Sequence, residues 1–292
     1  MPIRELHVSG YRSVRDLRLP LRQINILTGP NGSGKSNLYN SVFLLAKAAE
    51  EGLARAIAEE GGMSSIMWAG ERQTRSGSAR KSDPVRVRLS VKTQMYSYEL
   101  VCGLPRTHGP VVGKSAFDLD PEVKEEGVSL ETTDREVTFF QRKAGEAWIR
   151  DGDGRRTNYS GEMLPTESVL SQLREPHLYP GLSALRQEMG QWRFYHHFRT
   201  DRDSAMRHPQ PGVRTLALDH DGRDLAAALQ TIEEIGFAEE MREAVSEAFA
   251  DASLFISHSN AAFEVGLHTR ELNRRASSRM GPCDISAYWR LS

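Results

Sequence analysis

Gly29-Pro30-Asn31-Gly32-Ser33-Gly34-Lys35-Ser36 fits the pattern GxxxxGK[ST], and the residues on either side decide what that pattern means. Before it, Ile24, Ile26 and Leu27 make a short apolar run ending at Thr28, the composition of a buried strand. After it, Leu38, Val42, Leu45 and Ala49 recur at helical spacing from Lys35 onward. Strand, glycine loop and helix in that order give the pattern its mechanism. The glycines let the backbone curl so that successive N–H groups converge on phosphate oxygens, and the start of the helix adds its positive dipole end. Lys35 neutralises the β and γ oxygens of a nucleotide, and the Ser36 hydroxyl is a ligand for Mg2+. This reading assigns Gly29, Pro30, Asn31, Gly32, Ser33, Gly34, Lys35, Ser36 and Asn37 to nucleotide binding, with Ser36 as the metal ligand.

Upstream, residues 3–8 and 15–22 alternate apolar and charged side chains, as half-buried antiparallel strands do, with Gly10-Tyr11-Arg12-Ser13 as the turn between them. Downstream, residues 72–84 are polar and rich in Gly, Ser and Arg, the composition of an exposed loop. Val85, Val87, Leu89 and Val91, then Tyr96, Tyr98 and Leu100, alternate as a second hairpin, and more strand is expected at 136–150. The pattern turns helical over 167–186 and 222–249, and two short strand candidates follow at 254–257 and 263–267. Asp151-Gly152-Asp153-Gly154 is turn chemistry. A calcium loop is excluded there because Arg155 and Arg156 stand where such a loop needs an acceptor and a glycine.

Composition narrows the function classes. The chain has 292 residues, 39% of them hydrophobic, enough to bury a sizeable core, and a formal net charge of -1. That balance supplies no global attraction for nucleic acid or an anionic membrane, so any such contact must be a local patch. One candidate patch is Arg72, Arg75, Arg80, Lys81, Arg86 and Arg88, for which a solvated loop is the favoured account. Two cysteines, Cys102 and Cys283, have no metal or disulfide spacing. With no apolar leader and no long apolar run, the expected location is the cytoplasm. His196-His197, with His208 and His220, does not make a metal set: the adjacent pair would point to opposite faces of a strand, and Trp192, Phe194, Tyr195 and Phe198 around it read as core.

The stretch GYRSVRDLRLPLRQINILTGPNGSGKSNLYNSVFLLAKAA resembles the opening of RecF, SMC and OLD-type ATPase heads, in particular the bacterial AAA-type ATPases with ABC-class heads. The likeness continues more loosely through WAGE at 68–71, FDLDPEVKEE, ESVLSQLREP, QWRFYHHFRTD, DGRDLAAALQTI and FEVGLH. It implies an α/β fold of the P-loop NTPase kind, with an antiparallel β lobe and a helical lobe. It also implies ATP and Mg2+ as cofactors, and ATP-driven pairing with a second copy or an intact homologous head. DNA is a possible further partner, a membrane is not, and the implied role is DNA repair or defence against phage. Arg12 matches the arginine-containing turn that approaches the nucleotide in such heads, and Gln172 is the candidate for the lid glutamine that senses magnesium and the attacking water.

Such heads also need a signature motif and an acidic strand, and neither stands after Lys35; Glu233-Glu234 closes an amphipathic helical pattern instead. The tail TRELNRRASSRMGPCDISAYWRLS has no periodicity. Read from the last base of the Ala276 codon, the codons available to SSRMGPCDISAYWRLS can spell ELSDGTLRYLCLLAAF, which resembles the family signature LSDGTLRY. A frameshift between about Thr269 and Ala276 is therefore expected. The expected organisation is a nucleotide-binding lobe with a β subdomain at 1–164, a helical lobe at 165–250, returning strands at 251–268 and a frameshifted tail at 269–292, an incomplete head. Hydrolysis is expected to be close to absent, and the apolar face of residues 38–49 to be exposed. The alternative is a non-catalytic nucleotide-binding remnant, or a regulatory partner of an intact copy. A P-loop kinase is disfavoured by the hairpin that precedes the loop.

Overall fold

The computed structural model of the chain describes residues 2–50, 52–70, 86–105, 116–132, 136–150, 154–195, 199, 201–249, 252–269 and 289–290. The chain divides into two compact units, Met1–Trp192 and Arg193–Ser292. The polar stretch at 72–84, the Asp151-Gly152-Asp153 turn, the His196-His197 pair and almost all of the tail after Thr269 lie outside the described residues.

The first unit is built on an antiparallel sheet. Its strands are β1 (Glu5–Tyr11), β2 (Val14–Pro20), β3 (Val87–Lys92), β4 (Tyr96–Gly103), β5 (Glu122–Glu131), β6 (Glu136–Lys143), β7 (Glu146–Arg150) and β8 (Arg156–Asn158), hydrogen-bonded in the order β2-β1-β3-β4-β5-β6-β7-β8. The helices are α1 (Lys35–Glu50), α2 (Leu53–Glu59), α3 (Met63–Ile66), α4 (Val169–Gln172) and α5 (Pro180–Gly190). The period-2 pattern does the work: Val87, Leu89 and Val91 of β3 are buried while Arg88, Ser90 and Lys92 between them are not. On the apolar face, Leu6, Val8 and Tyr11 of β1 join Tyr98 and Leu100 of β4, Phe140 of β6, and Leu44, Leu45, Ala48 and Ala49 of α1 in one core. The hairpin expected near the start forms, with its turn at Arg12 and Ser13; Gly10 and Tyr11 belong to β1. β5 carries four glutamates and a lysine among ten residues and was not legible as a strand; its two neighbours supply the pairing that its composition does not advertise.

A buried polar network ties the sheet to α4. The Glu126 side chain is fully buried, and it accepts hydrogen bonds from Arg142 Nη2 (2.8 Å), Tyr98 Oη (2.9 Å), Ser168 Oγ (2.6 Å) and the Val169 N–H (3.0 Å). Ser168 is the N-cap of α4. Burial, then the nearby Glu126 charge, raises the Tyr98 hydroxyl well above its usual range and pushes the Cys102 thiol up to about 12. The helical pattern expected over 167–186 is split into α4 and α5, because Pro176 cannot continue a helix and Pro180 opens the next one.

Two expectations are overturned. Ile24, Ile26 and Leu27 are not a buried strand: residues 25–30 take no regular structure, and the three side chains are 83%, 81% and 49% exposed. No strand among the described residues pairs with this segment, so no sheet neighbour there desolvates it. The face of α1 is not exposed either. Ser41, Leu44, Leu45, Ala46, Ala48 and Ala49 are buried, because α2, α4, α5 and strands β1 and β3 cover the helix.

The second unit holds a 3-10 turn (Ala205–Arg207), β9 (Gln210–Pro211), α6 (Leu225–Glu234), α7 (Ala238–Ala248), β10 (Ala252–Ser259), β11 (Ala262–Thr269) and β12 (Trp289–Arg290). β11 is central, pairing antiparallel with β9, β10 and β12. The helical and strand patterns expected at 222–249, 254–257 and 263–267 all form, and Glu233-Glu234 does end a helix. Gln210, buried, accepts from the N–H of Ala226 (2.8 Å) at the start of α6 and donates to the carbonyls of Ala205 and Gly222. Of the aromatics read as core, Trp192 packs against the core of the first unit, but Tyr195 is 46% exposed. Its hydroxyl donates to the Leu218 carbonyl, which leaves the ring half in solvent.

Candidate nucleotide site

The loop at residues 29–36 runs into α1, whose first turn carries no acidic side chain to compete for its N–H groups. Gly32 and Gly34 hold φ values of +81° and +94°, which side chains rarely adopt. At Gly34 a Cβ would also come within 2.9 Å of Ser13 Oγ, so this glycine is needed for close approach as well as for conformation. The Lys35 ammonium already lies within the curl, donating to the carbonyls of Gly29 (2.6 Å) and Pro30 (2.7 Å). Asn31, Ser33 and Ser36 are exposed. A glycine-lined curl, a lysine at its centre and a free-standing serine at a helix start fit a triphosphate and its magnesium: N–H donors and one cation for the phosphates, one hydroxyl for the metal.

The β1–β2 turn forms the second side of this site. Asn37 Nδ2 donates to Ser13 Oγ at 2.8 Å, stitching the turn to the first turn of α1. Arg12 sits in the left-handed region at φ +47°, a strained position for a non-glycine residue, costing on the order of 1–3 kcal/mol. What holds it is visible: its N–H donates to the Ile66 carbonyl (2.8 Å), and its guanidinium pairs with Glu60 at 2.6 Å, where Tyr11 Oη also donates (3.0 Å). Burial, followed by the Glu60 charge, raises the Tyr11 hydroxyl above its ordinary value. The family resemblance singled out the turn at Arg12 and Ser13; the sequence contained no signal for Glu60, which lies 48 residues from Arg12.

Gln172 ends α4, a helix that packs on α1, but its amide is committed locally. Nε2 donates to the carbonyls of Leu164, Glu167 and Ser168, and Oε1 accepts from the Leu164 N–H at 2.6 Å. Glu167 lies in the same segment and caps α2, accepting from the N–H groups of Leu53 (3.0 Å) and Ala54 (3.3 Å). The basic patch is largely neutralised where it is described. Arg86 pairs with Glu125 (2.9 Å) and Arg88 with Glu99 (2.5 Å); Arg72, Arg75, Arg80 and Lys81 lie outside the described residues.

Of the histidines, His220 lies with Asp219 and Asp221 in a group that could face a cation. Asp219 is already engaged by His220 Nδ1 (2.8 Å) and Arg223 Nε (2.7 Å); although partial burial works against it, these hydrogen bonds hold its carboxyl down at about 2. Among the described residues, no helix is long and apolar enough to cross a membrane.

No curated protein matches the chain. The family model described as "AAA domain, putative AbiEii toxin, Type IV TA system" matches residues 24–274, a span that begins just before the glycine loop and runs through β11. With residues 24–274 of its 292 matched, the chain belongs to this family of AAA-type P-loop ATPases.

Proposed function

We propose that this chain is the nucleotide-binding part of an ATPase head similar to those of RecF and SMC proteins. ATP and Mg2+ bind on residues 29–37, and nucleotide binding drives pairing with a second head. The observation that carries the reading is the two-sided rim: Gly34 and Asn37 of the loop pack against Ser13, so the Arg12 turn is held where a bound nucleotide would meet it. Lys35 and the N–H groups of the loop hold the phosphates, Ser36 ligates the metal, and Arg12 leaves Glu60 to add a second cation. Equilibrium binding of ATP with Mg2+, and light scattering with and without it, test this. Micromolar binding and a doubled mass support the proposal; no binding, or equal binding by Lys35→Ala, overturns it. In this reading the protein works inside the cell in DNA repair or phage defence, and a DNA-dependent change in ATP affinity would connect it to DNA.

A second reading, nucleotide binding without turnover, is favoured by the exposure of Ile24, Ile26 and Leu27. Hydrolysis needs an acidic group that holds the metal's water and orients the attacking one, and a strand beside the loop is where that group is carried in heads of this kind. Among the described residues no strand pairs there. Phosphate release by the purified chain decides between the two. Rates of about 1 s⁻¹ or more, in the ordinary enzyme range, exclude the second reading.

A further inference from the structure

A cavity of about 290 Å³ lies between the start of β5, the β6–β7 hairpin and the segment at 159–165. Its lining combines Lys124 and Arg142 with Glu122, Ala147, Tyr159 and Met163. Both cations are buried, their side chains 8% and 7% exposed. The Lys124 ammonium is 2.7 Å from a Glu122 carboxylate oxygen, close enough for an ion pair, but is not aligned for a hydrogen bond with any group among the described residues. Arg142 spends its terminal nitrogens on Glu126 and on the carbonyls of Leu164 and Glu167, while its Nε, also buried, has no acceptor among the described residues.

A buried donor without an acceptor is costly; Arg142 Nε is one, and the buried Lys124 ammonium beside it is ion-paired with Glu122 but makes no aligned hydrogen bond among the described residues, so the open space next to them presents a place for an oxyanion. The charges on the spot are Lys124 and Arg142 against Glu122 and Glu126, a balance that tolerates one added negative charge better than two. Met163, Ala147 and the Tyr159 ring give the remaining wall an apolar character. The volume sits at the lower edge of the roughly 300–1,000 Å³ typical of ligand pockets, which points to a small molecule.

We propose that this cavity binds a small organic monoanion, a carboxylate carried on a compact apolar body, with Lys124 and the Nε edge of Arg142 as its anchors. The site is separate from the phosphate loop in its residues. It shares Arg142 with the network that fixes Ser168 and α4, so a bound acid stiffens that network.

The test is calorimetric titration of the full chain carrying Lys35→Ala, which keeps the phosphate loop out of the measurement, with benzoate, benzamide and inorganic phosphate as probes. The expected result is saturable binding of one benzoate per chain, at least tenfold weaker binding of benzamide and of phosphate, and a higher melting temperature with benzoate. Lys124→Met and Ala147→Phe, each introduced into that chain, should weaken benzoate at least tenfold. The first removes the anchor and the second fills the cavity, so a folding failure in one leaves the other to decide. Absence of saturable benzoate binding, or equal affinity for benzamide, overturns the site. So does benzoate binding that survives both substitutions, and tighter binding of phosphate overturns the monoanion assignment.

Discussion

The sheet lobe and the loop segment beside it belong to the same unit and are held by opposite means. In the sheet, β1 to β6 satisfy their backbone on neighbouring strands and bury one face in a core shared with the helices, where Glu126 ties β5 to α4. Residues 24–34 have neither: their apolar side chains face solvent, and the segment is tied down at its end by Lys35, Asn37 and Ser13. Fold stability therefore resides in the first region and the proposed ligand chemistry in the second. Elements that bind ligands are commonly drawn from the less stable part of a structure, and the division here follows that rule.

The largest effect that would break this contrast is at Arg142. Replacing it by alanine leaves Glu126 charged and fully buried with one cation fewer, which should cost about 3–5 kcal/mol in denaturant unfolding. A loss below about 1 kcal/mol would mean that the network is decoration and that the apolar core alone holds the lobe. Next in size is a thiol probe. Cys102 is buried and its thiol is pushed up to about 12, first by burial and then by Glu126, so little thiolate exists at pH 8. In a Cys283→Ser background, a cysteine introduced by Ile26→Cys should react with maleimide about a thousandfold faster than Cys102, the ratio set by the opening of a folded lobe. Comparable rates would show that the two regions open together.

A smaller effect is expected at Lys35. Among the described residues its ammonium hydrogen-bonds only to carbonyls of its own loop, so Lys35→Ala should leave the melting temperature nearly unchanged while weakening ATP about 100-fold, roughly 2.7 kcal/mol. A parallel loss of stability would make Lys35 a structural clamp.

The same contrast explains what was legible in the sequence. Period-2 alternation in β1, β3 and β4 and helical spacing in α1 are local signals, and the structure reproduces them. β5 escaped because its pattern is charged and its place is decided by pairing with β4 and β6. The run at 24–27 failed in the other direction. Its composition is that of a buried strand, yet burial needs a neighbour, and periodicity does not report whether one exists. At the candidate site, the loop residues were singled out by their spacing and the Arg12 turn by its resemblance to a family. Glu60, Lys124 and Arg142 were not, since each acquires its role from residues distant in the chain or from a cavity that no local pattern encodes.

The smallest effect discriminates most sharply, because it is expected to be nearly zero. Ile24→Ser combined with Ile26→Ser removes two large apolar side chains, a change that would cost several kcal/mol in a core. With both residues more than 80% exposed, the double variant should unfold within about 0.5 kcal/mol of the parent, whereas Val91→Ser in β3 should lose 2 kcal/mol or more. Chemical denaturation of the three chains measures this directly. If the double variant is as damaged as Val91→Ser, residues 24–27 are packed in solution against something that desolvates them, and the nucleotide loop is then backed by a strand, as turnover requires. If it is neutral, the loop rests on α1 and the Ser13 turn alone, and nucleotide binding without hydrolysis is the behaviour that this scaffold supports.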